Sequence, residues 1–298
     1  MPQVRKAILV VNLLKENARG AAEEIRAELE GRGTAVTVFA VNEQSGCVPD
    51  GPGDTPWDIA FSLGGDGTVL YTARNFAPSG TPILPIHLGT LGFLAGVERH
   101  EWRAVYEQWL NGAAPISARC MLGVSVTREA AAPAGALFTN ACLNDTVISS
   151  AGKARLIRLR LTTELASGEC ADLGRYRCDG LIIATPTGST AYSMAAGGPI
   201  LDPEMEAVVV SPVCPFTLSN RPLVLPLRQT LRVTVEKEQR SGIILTVDGQ
   251  DAFELKPCDT VTINYLPHYA RLITTGRSSY YSALQEKLRW GEGGTAHA

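Results

Sequence analysis

Apolar residues fall in short blocks along the chain, and their period changes part-way. Residues 7–11, 36–41 and 57–63 are nearly unbroken apolar runs, and between the first two Ala21, Ile25 and Leu29 recur at helical spacing. Strands that do not alternate are buried on both faces, as in a parallel sheet. Residues 1–115 are therefore expected to form an α/β domain of βαβ units, with a further helix over 69–76 and a strand over 82–88. Residues 42–56, rich in Gly, Pro and Asp and without periodicity, read as a loop near the ligand edge. From residue 116 the blocks shorten to β-like runs at 123–127, 156–162, 230–235, 243–247 and 260–265, giving a β-rich domain over 116–270. Helical spacing returns after Ser279, with Tyr281, Leu284 and Leu288 on one face. Residues 271–298 are expected to pack a closing helix back on the N-terminal domain, frayed over 292–298.

Composition narrows the function classes. A chain of 298 residues, 45% apolar and 19% charged, is long enough for about two cores, and a formal net charge of −3 supplies no global field for nucleic acid or membrane. The opening Arg5-Lys6 and the apolar residues behind it imitate a signal peptide, but Asn12 and Lys15-Glu16 interrupt it and no cleavage site follows. It reads as a first buried strand, and no stretch approaches the length that spans a bilayer. Seven scattered cysteines, odd in number and without a Cys-x-x-Cys pair, read as reduced thiols in a cytoplasm. The four histidines lack metal-ligand spacing, and His87, closing a buried strand, reads as structural. A Walker loop, a Gly-x-Gly-x-x-Gly turn and a Gly-x-Ser-x-Gly elbow are all missing.

Three segments carry candidate chemistry. Gly64-Gly65-Asp66-Gly67-Thr68 joins a buried run to a helix-like run, where glycines allow close backbone approach and helix amides favour phosphate. A carboxylate repels phosphate, so Asp66 is expected either to accept a hydroxyl proton, to hold a divalent cation, or simply to cap the helix. The segment 179–192 opens from an apolar stretch into a turn with four hydroxyls, Thr185, Thr187, Ser189 and Thr190, followed by Tyr192. Such a turn can bind a ribose, a base edge or a phosphate, or it can serve only as a capped turn. Asn144-Asp145 can chelate a ribose diol and address a base, and is equally an ordinary turn pair. Arg155 and Arg177 are single basic residues able to face phosphates.

At these residues the sequence closely resembles the NAD kinase family. The motifs are Gly64-Gly65-Asp66-Gly67-Thr68, Leu88-Gly89-Thr90-Leu91-Gly92-Phe93-Leu94, Asn144-Asp145, the stretch 179–198, Ser219-Asn220-Arg221-Pro222 and Asp248-Gly249-Gln250. Their order and rough spacing agree over nearly the whole chain; the first is shared with lipid kinases, whereas the stretch 179–198 is nearly diagnostic. The resemblance implies an NAD kinase/diacylglycerol kinase-like two-domain fold, an α/β N-terminal domain plus a β-rich C-terminal domain, with a site in the cleft between them. It implies transfer of the ATP γ-phosphoryl group to the adenosine ribose 2′-hydroxyl of NAD, with Asp66 as proton acceptor and Gly67 beside the substrate. Asn144, Asp145, Asp179, Thr187, Thr190, Ala191, Tyr192, Ser193, Met194 and Ala195 would line the dinucleotide pocket, and Arg155, Arg177 and Gln250 match further contacts. The donor is ATP or polyphosphate, and the divalent cation, Mg²⁺, would be held mainly by nucleotide phosphates because no set of carboxylates is dedicated to it. The expected partners are small molecules and further copies of the chain in a homo-oligomer, not nucleic acid or membrane.

Two residues depart from the family pattern: Phe216 stands where many relatives have His, and Asp145 replaces the commoner Glu. Both bear on pocket geometry. A lipid or diacylglycerol kinase could share the glycine loop, but no amphipathic cationic helix or basic cluster is present for a membrane surface. A non-catalytic NADP-binding regulator would gain nothing from Asp66 beside phosphate.

Overall fold

A computed structural model describes residues 4–41, 57–89, 91–128, 135–152, 156–165, 167–217 and 220–288. The loop expected over 42–56, the frayed end over 292–298 and Arg155 lie outside the described residues. The chain divides into two compact units, Met1–Ala118 with Ala270–Ala298, and Arg119–Tyr269.

In the first unit the unbroken apolar runs become parallel strands. β1 (Lys6–Asn12) pairs with β2 (Ala35–Val41) on one side and β3 (Ile59–Gly64) on the other; β4 (Pro82–His87) pairs with β3, and β5 (Val97–Glu98) with β4. Helices α1 (Ala18–Gly31) and α3 (Trp102–Leu110) pack Ile25, Leu29, Trp102 and Tyr106 against Leu9, Phe61 and Leu84 on one face. Helix α2 (Asp66–Phe76) meets β1, β3 and β4. The strand order 2-1-3-4-5 reverses direction between β1 and β3, and open α/β sheets bind ligands at the carboxyl ends of the strands beside that reversal. The glycine loop after β3 sits there.

The second unit is two antiparallel sheets. One orders β10 (Cys170–Cys178), β9 (Ile157–Glu164), β14 (Thr230–Val235) and β17 (Thr260–Ile273), with β6 (Ile116–Thr127) beside β17 and β7 (Phe138–Cys142) beside β6. The other orders β13 (Leu223–Pro226), β12 (Ala207–Val213), β11 (Gly180–Ala184), β8 (Asp145–Ser150), β15 (Ile243–Val247) and β16 (Asp251–Leu255). Alternate residues, Leu159, Leu161 and Val233 from one sheet and Ile148, Leu181, Ile183 and Leu245 from the other, share a single core. The remaining face of the second sheet carries Val147, Ile182, Ala184 and Val209, which pack with Leu201. Every side chain on β11 is therefore buried, as its unbroken apolar sequence requires.

The chain closes on α5 (Arg277–Leu288). Among its described side chains Ala283 and Leu284 are buried, while Tyr281 is 48% exposed, so the inward stripe is offset from the expected Tyr281, Leu284 and Leu288. Tyr281 lies outward, its ring edge-to-face with that of Tyr280.

Candidate active site

In the first unit β3 ends at Gly64 and α2 begins at Asp66. The N-cap is Gly65 in extended backbone, without a side-chain cap, so the capping role considered for Asp66 does not occur. Its carboxylate turns to the residues after β4 instead. Oδ2 accepts the amide of Phe93 at 2.9 Å, and Oδ1 accepts those of Leu94 at 3.1 Å and Ala95 at 2.9 Å. Gly92 leaves room for this grip: a Cβ there would lie 2.6 Å from Asp66 Cγ, 2.9 Å from Oδ2, and would overlap Oδ1. The two glycine motifs of the sequence are thus one structure, a carboxylate on a helix start held by a tight turn. Lys287 of α5 lies over the Phe93 ring at 4.9 Å and ties the terminal helix to that turn. Nearby, His87 pairs Nδ1 with Gly89 O at 2.9 Å, while its Nε2 is buried without a partner and the ring borders a cavity of about 520 Å³.

In the second unit Asn144-Asp145 forms the junction between β7 and β8. The carboxylate of Asp248, in the β15–β16 hairpin, accepts the amides of Leu143 at 3.1 Å, Asn144 at 2.8 Å and Asp145 at 3.2 Å. Burial, and secondarily the charge of Asp248, pushes the Asp145 carboxyl up to about 7. Asn144 Oδ1 is buried with no partner.

The hydroxyl-rich turn sits against this junction. Thr185 donates its amide to Asn144 O at 2.8 Å and its hydroxyl to Leu143 O at 2.5 Å. Gly188 approaches Asn144 so closely that a Cβ would come within 2.5 Å of its carbonyl carbon. Three of the four hydroxyls are consumed in building the turn: Thr185 as above, Ser189 on Pro186 O at 2.6 Å, and Thr190 on Thr187 O at 3.1 Å. Thr187 Oγ1 is buried with no partner. In the short helix α4 (Tyr192–Ala195), Ser193 pairs inward with Ser211 at 2.9 Å and Tyr192 is 48% exposed, so its ring is a surface group rather than core. Ala191, Met194 and Ala195 accompany it on the same segment, and Gln250 is exposed in the Asp248 hairpin.

These residues gather at one end of β11, where Ala184 pairs with Asp145. Arg177 and Asp179 stand at the other end, with Gly180 paired to Ser149 and the Arg177 guanidinium 4.6 Å over the exposed Phe216 ring. At about 3.3 Å per residue the two ends lie ~15–20 Å apart. Residue-by-residue reading singled out neither Gly92 nor Asp248, although both lie inside a motif, and did not separate Thr185 from the other hydroxyls of its turn. The sequence signal for Asp248 was only an Asp-Gly turn between two β-like runs.

The ATP-NAD kinase N-terminal domain matches residues 54–114 and the ATP-NAD kinase C-terminal domain residues 143–275. An NAD kinase of Treponema denticola is 38% identical over 292 residues, spanning 96% of this chain and 97% of that protein. The chain belongs to the ATP-NAD kinase family. Among solved structures, yeast NADH kinase complexed with NADH matches with a TM-score of 0.85 over 100% of this chain and 91% of that one, at 24% identity. An NAD kinase from Archaeoglobus fulgidus in complex with ATP matches with a TM-score of 0.69 over 96% and 98%, also at 24%. Both establish the two-domain fold, an α/β N-terminal and a β-rich C-terminal part. As a member of the ATP-NAD kinases the chain is a phosphotransferase with an alcohol acceptor, and the lipid-kinase and regulator readings are not favoured. Among the described residues no group of three or more His, Cys, Asp or Glu comes together as a metal cage, and no helix is long and apolar enough to cross a membrane.

Proposed function

We propose that the protein transfers the γ-phosphoryl group of ATP to the 2′-hydroxyl of the adenosine ribose of NAD, with Asp66 accepting the hydroxyl proton. The observation that carries this reading is a carboxylate fixed by three amides inside a glycine loop otherwise suited to phosphate, at the reversal point of a parallel sheet. Oδ1 takes two of those amides and Oδ2 only one, so Oδ2 keeps the lone pair that receives the proton. Phosphoryl transfer depends mainly on positioning and charge neutralisation, and the proton need leave only as the new bond forms. One well-held carboxylate is enough.

The β-rich unit would hold the dinucleotide. Buried Asn144 Oδ1 and Thr187 Oγ1, both without protein partners, are supplied with them by the ligand. The ionised Asp145 carboxylate accepts a ribose diol, and the exposed Tyr192 ring stacks on a base. Gly67, Asp179, Thr190, Ala191, Ser193, Met194, Ala195, Gln250, Arg155 and Arg177 are the further proposed contacts. A divalent cation, Mg²⁺, would be held mainly by the nucleotide phosphates and would supply charge neutralisation there. Working as a homo-oligomer, a second copy can bring its own Arg177 and Asp179 to a pocket that these residues do not reach along β11. A reducing cytoplasm suits the free cysteines.

The test is formation of NADP from NAD, read by coupling to an NADP-specific dehydrogenase, with ATP and polyphosphate as alternative donors. Wild-type protein should give NADP with ATP, and Asp66→Ala should lower kcat by about two to four orders of magnitude. An Asp66→Ala variant retaining more than about half the wild-type kcat removes the proton-acceptor role.

A further inference from the structure

We propose that Asp248 is a positioning residue of the dinucleotide pocket, its carboxylate fixing the backbone from which Asn144 and Asp145 reach the ligand. The proposal rests on the kinase reading above and names the group that organises the same site.

The backbone of residues 143–145 is fully spent. Its three amides go to the Asp248 carboxylate at 3.1, 2.8 and 3.2 Å. Of its three carbonyls, that of Leu143 accepts the Thr185 hydroxyl at 2.5 Å, that of Asn144 the Thr185 amide at 2.8 Å, and that of Asp145 the Asp248 amide at 2.9 Å. Two residues, 40 to 105 positions away in sequence, therefore hold every polar backbone group of this turn. Asn and Asp side chains ordinarily compete for neighbouring backbone groups in turns. Here that competition has no target, which leaves Asn144 Oδ1 buried and unpartnered and the Asp145 carboxylate without a neighbouring amide to accept, both available to a ligand.

The arrangement costs the fold something, which argues for a role beyond folding. Asp248 is 8% exposed, has left-handed backbone at φ 50°, and stands beside Asp145, itself 6% exposed. A neutral Asn or Gly would occupy a left-handed turn at least as readily and would avoid two like charges in a buried place. Only a full carboxylate, accepting at both oxygens, can take all three consecutive amides.

The experiment compares Asp248→Asn and Asp248→Gly with the wild type. Asparagine keeps one acceptor oxygen and glycine keeps none, while both tolerate the left-handed backbone. NAD affinity is measured by calorimetry, which needs no turnover, and KM and kcat by NADP formation. The expected result is a graded weakening of NAD binding, about threefold to tenfold for Asp248→Asn and tenfold to a hundredfold for Asp248→Gly. KM for ATP should move less than about twofold and kcat less than about threefold. Repeating Asp248→Asn on an Asp145→Ala, Asn144→Ala background should cost less than about twofold, because the groups it positions are gone. Unchanged NAD affinity in both single variants, with only a lowered Tm, overturns the proposal, and so does an undiminished effect on the double-alanine background. If Asp248→Gly does not fold, Asp248→Asn decides alone. Failure of the kinase reading appears separately, as wild-type protein that binds NAD without phosphorylating it.

Discussion

Replacing Gly92 by alanine tests whether the tight turn sets the geometry of Asp66. The new Cβ would sit 2.6 Å from Asp66 Cγ and overlap Oδ1. Ordinary carbon contact begins near ~3.5 Å, so the carboxylate must retreat by about 1 Å or the turn must move by as much. Either change lengthens the amide bonds from Phe93, Leu94 and Ala95 that now measure 2.9, 3.1 and 2.9 Å. A misplacement of about 1 Å at a reacting group can cost ~10²-fold in rate. Gly92→Ala is therefore expected to lower kcat about a hundredfold while KM for NAD stays within about threefold, because most of the proposed dinucleotide contacts belong to the other unit. Gly20→Ala is the control: the same chemical change falls in open space within α1 and should raise stability by ~1 kcal/mol without altering kcat. NADP formation at saturating and limiting NAD measures both constants. A Gly92→Ala enzyme with kcat within about threefold of wild type refutes the argument, as does a loss confined to KM.

Other perturbations read other parts of the account. The Asp145 carboxyl is held up at about 7 by burial and by Asp248, so the folded protein retains a proton that the unfolded chain has lost. That contribution to stability is fully present below the unfolded value near 3.8 and is lost as pH rises to about 7; Asp145→Asn should flatten this part of the Tm–pH curve. Since a ribose diol donates to an ionised carboxylate, NAD affinity should strengthen from pH 6 to 8 in the wild type and lose that step in Asp145→Ala, as calorimetry would show; a step retained in the variant assigns it elsewhere. Asp259, 0% exposed, is gripped by Arg128 at 2.6 and 2.8 Å, and Arg128→Ala should lower the urea midpoint by leaving that buried carboxylate with the Lys256 amide, at 2.8 Å, in place of its cation. Burial pushes the Cys120 and Cys178 thiols up to about 12, so a thiol reagent at pH 8 should label the exposed Cys170, Cys214 and Cys258 before unfolding and those two only after it.

Unbroken apolar runs made β1, β3 and β4 legible in the sequence, because a parallel strand buried on both faces has few ways to be written. Strand β10 was not, since Asp172, Arg175 and Arg177 make a third of it charged and only Tyr176 and Cys178 are buried. Helix α3 was overlooked although Trp102, Val105 and Tyr106 keep helical spacing. In the candidate site, residue type announced Asp66, Asn144 and Thr187, but not what holds them. The partners of Asp66 lie 27 to 29 residues away and those of Asp248 103 to 105, and backbone amides carry no sequence signature. The hydroxyl cluster divides between the two readings its sequence allows: the hydroxyls of Thr185, Ser189 and Thr190 bond within the turn, whereas Thr187 Oγ1 has no partner. The grip on Asp66 also decides the choice of mutant. An Asp66→Asn side chain would present an NH₂ group to an amide donor, so Asp66→Ala is the cleaner removal.

The most direct test of the central claim is where the new phosphate appears. Protein incubated with ATP, Mg²⁺ and NAD is examined by phosphorus NMR, and the product is offered to an NADP-specific dehydrogenase. Phosphate on the 2′-oxygen of the adenosine ribose, abolished by Asp66→Ala, is the result expected. Phosphate on the 3′-oxygen, or on the nicotinamide ribose, would contradict the proposed facing of Asp66 and the 2′-hydroxyl.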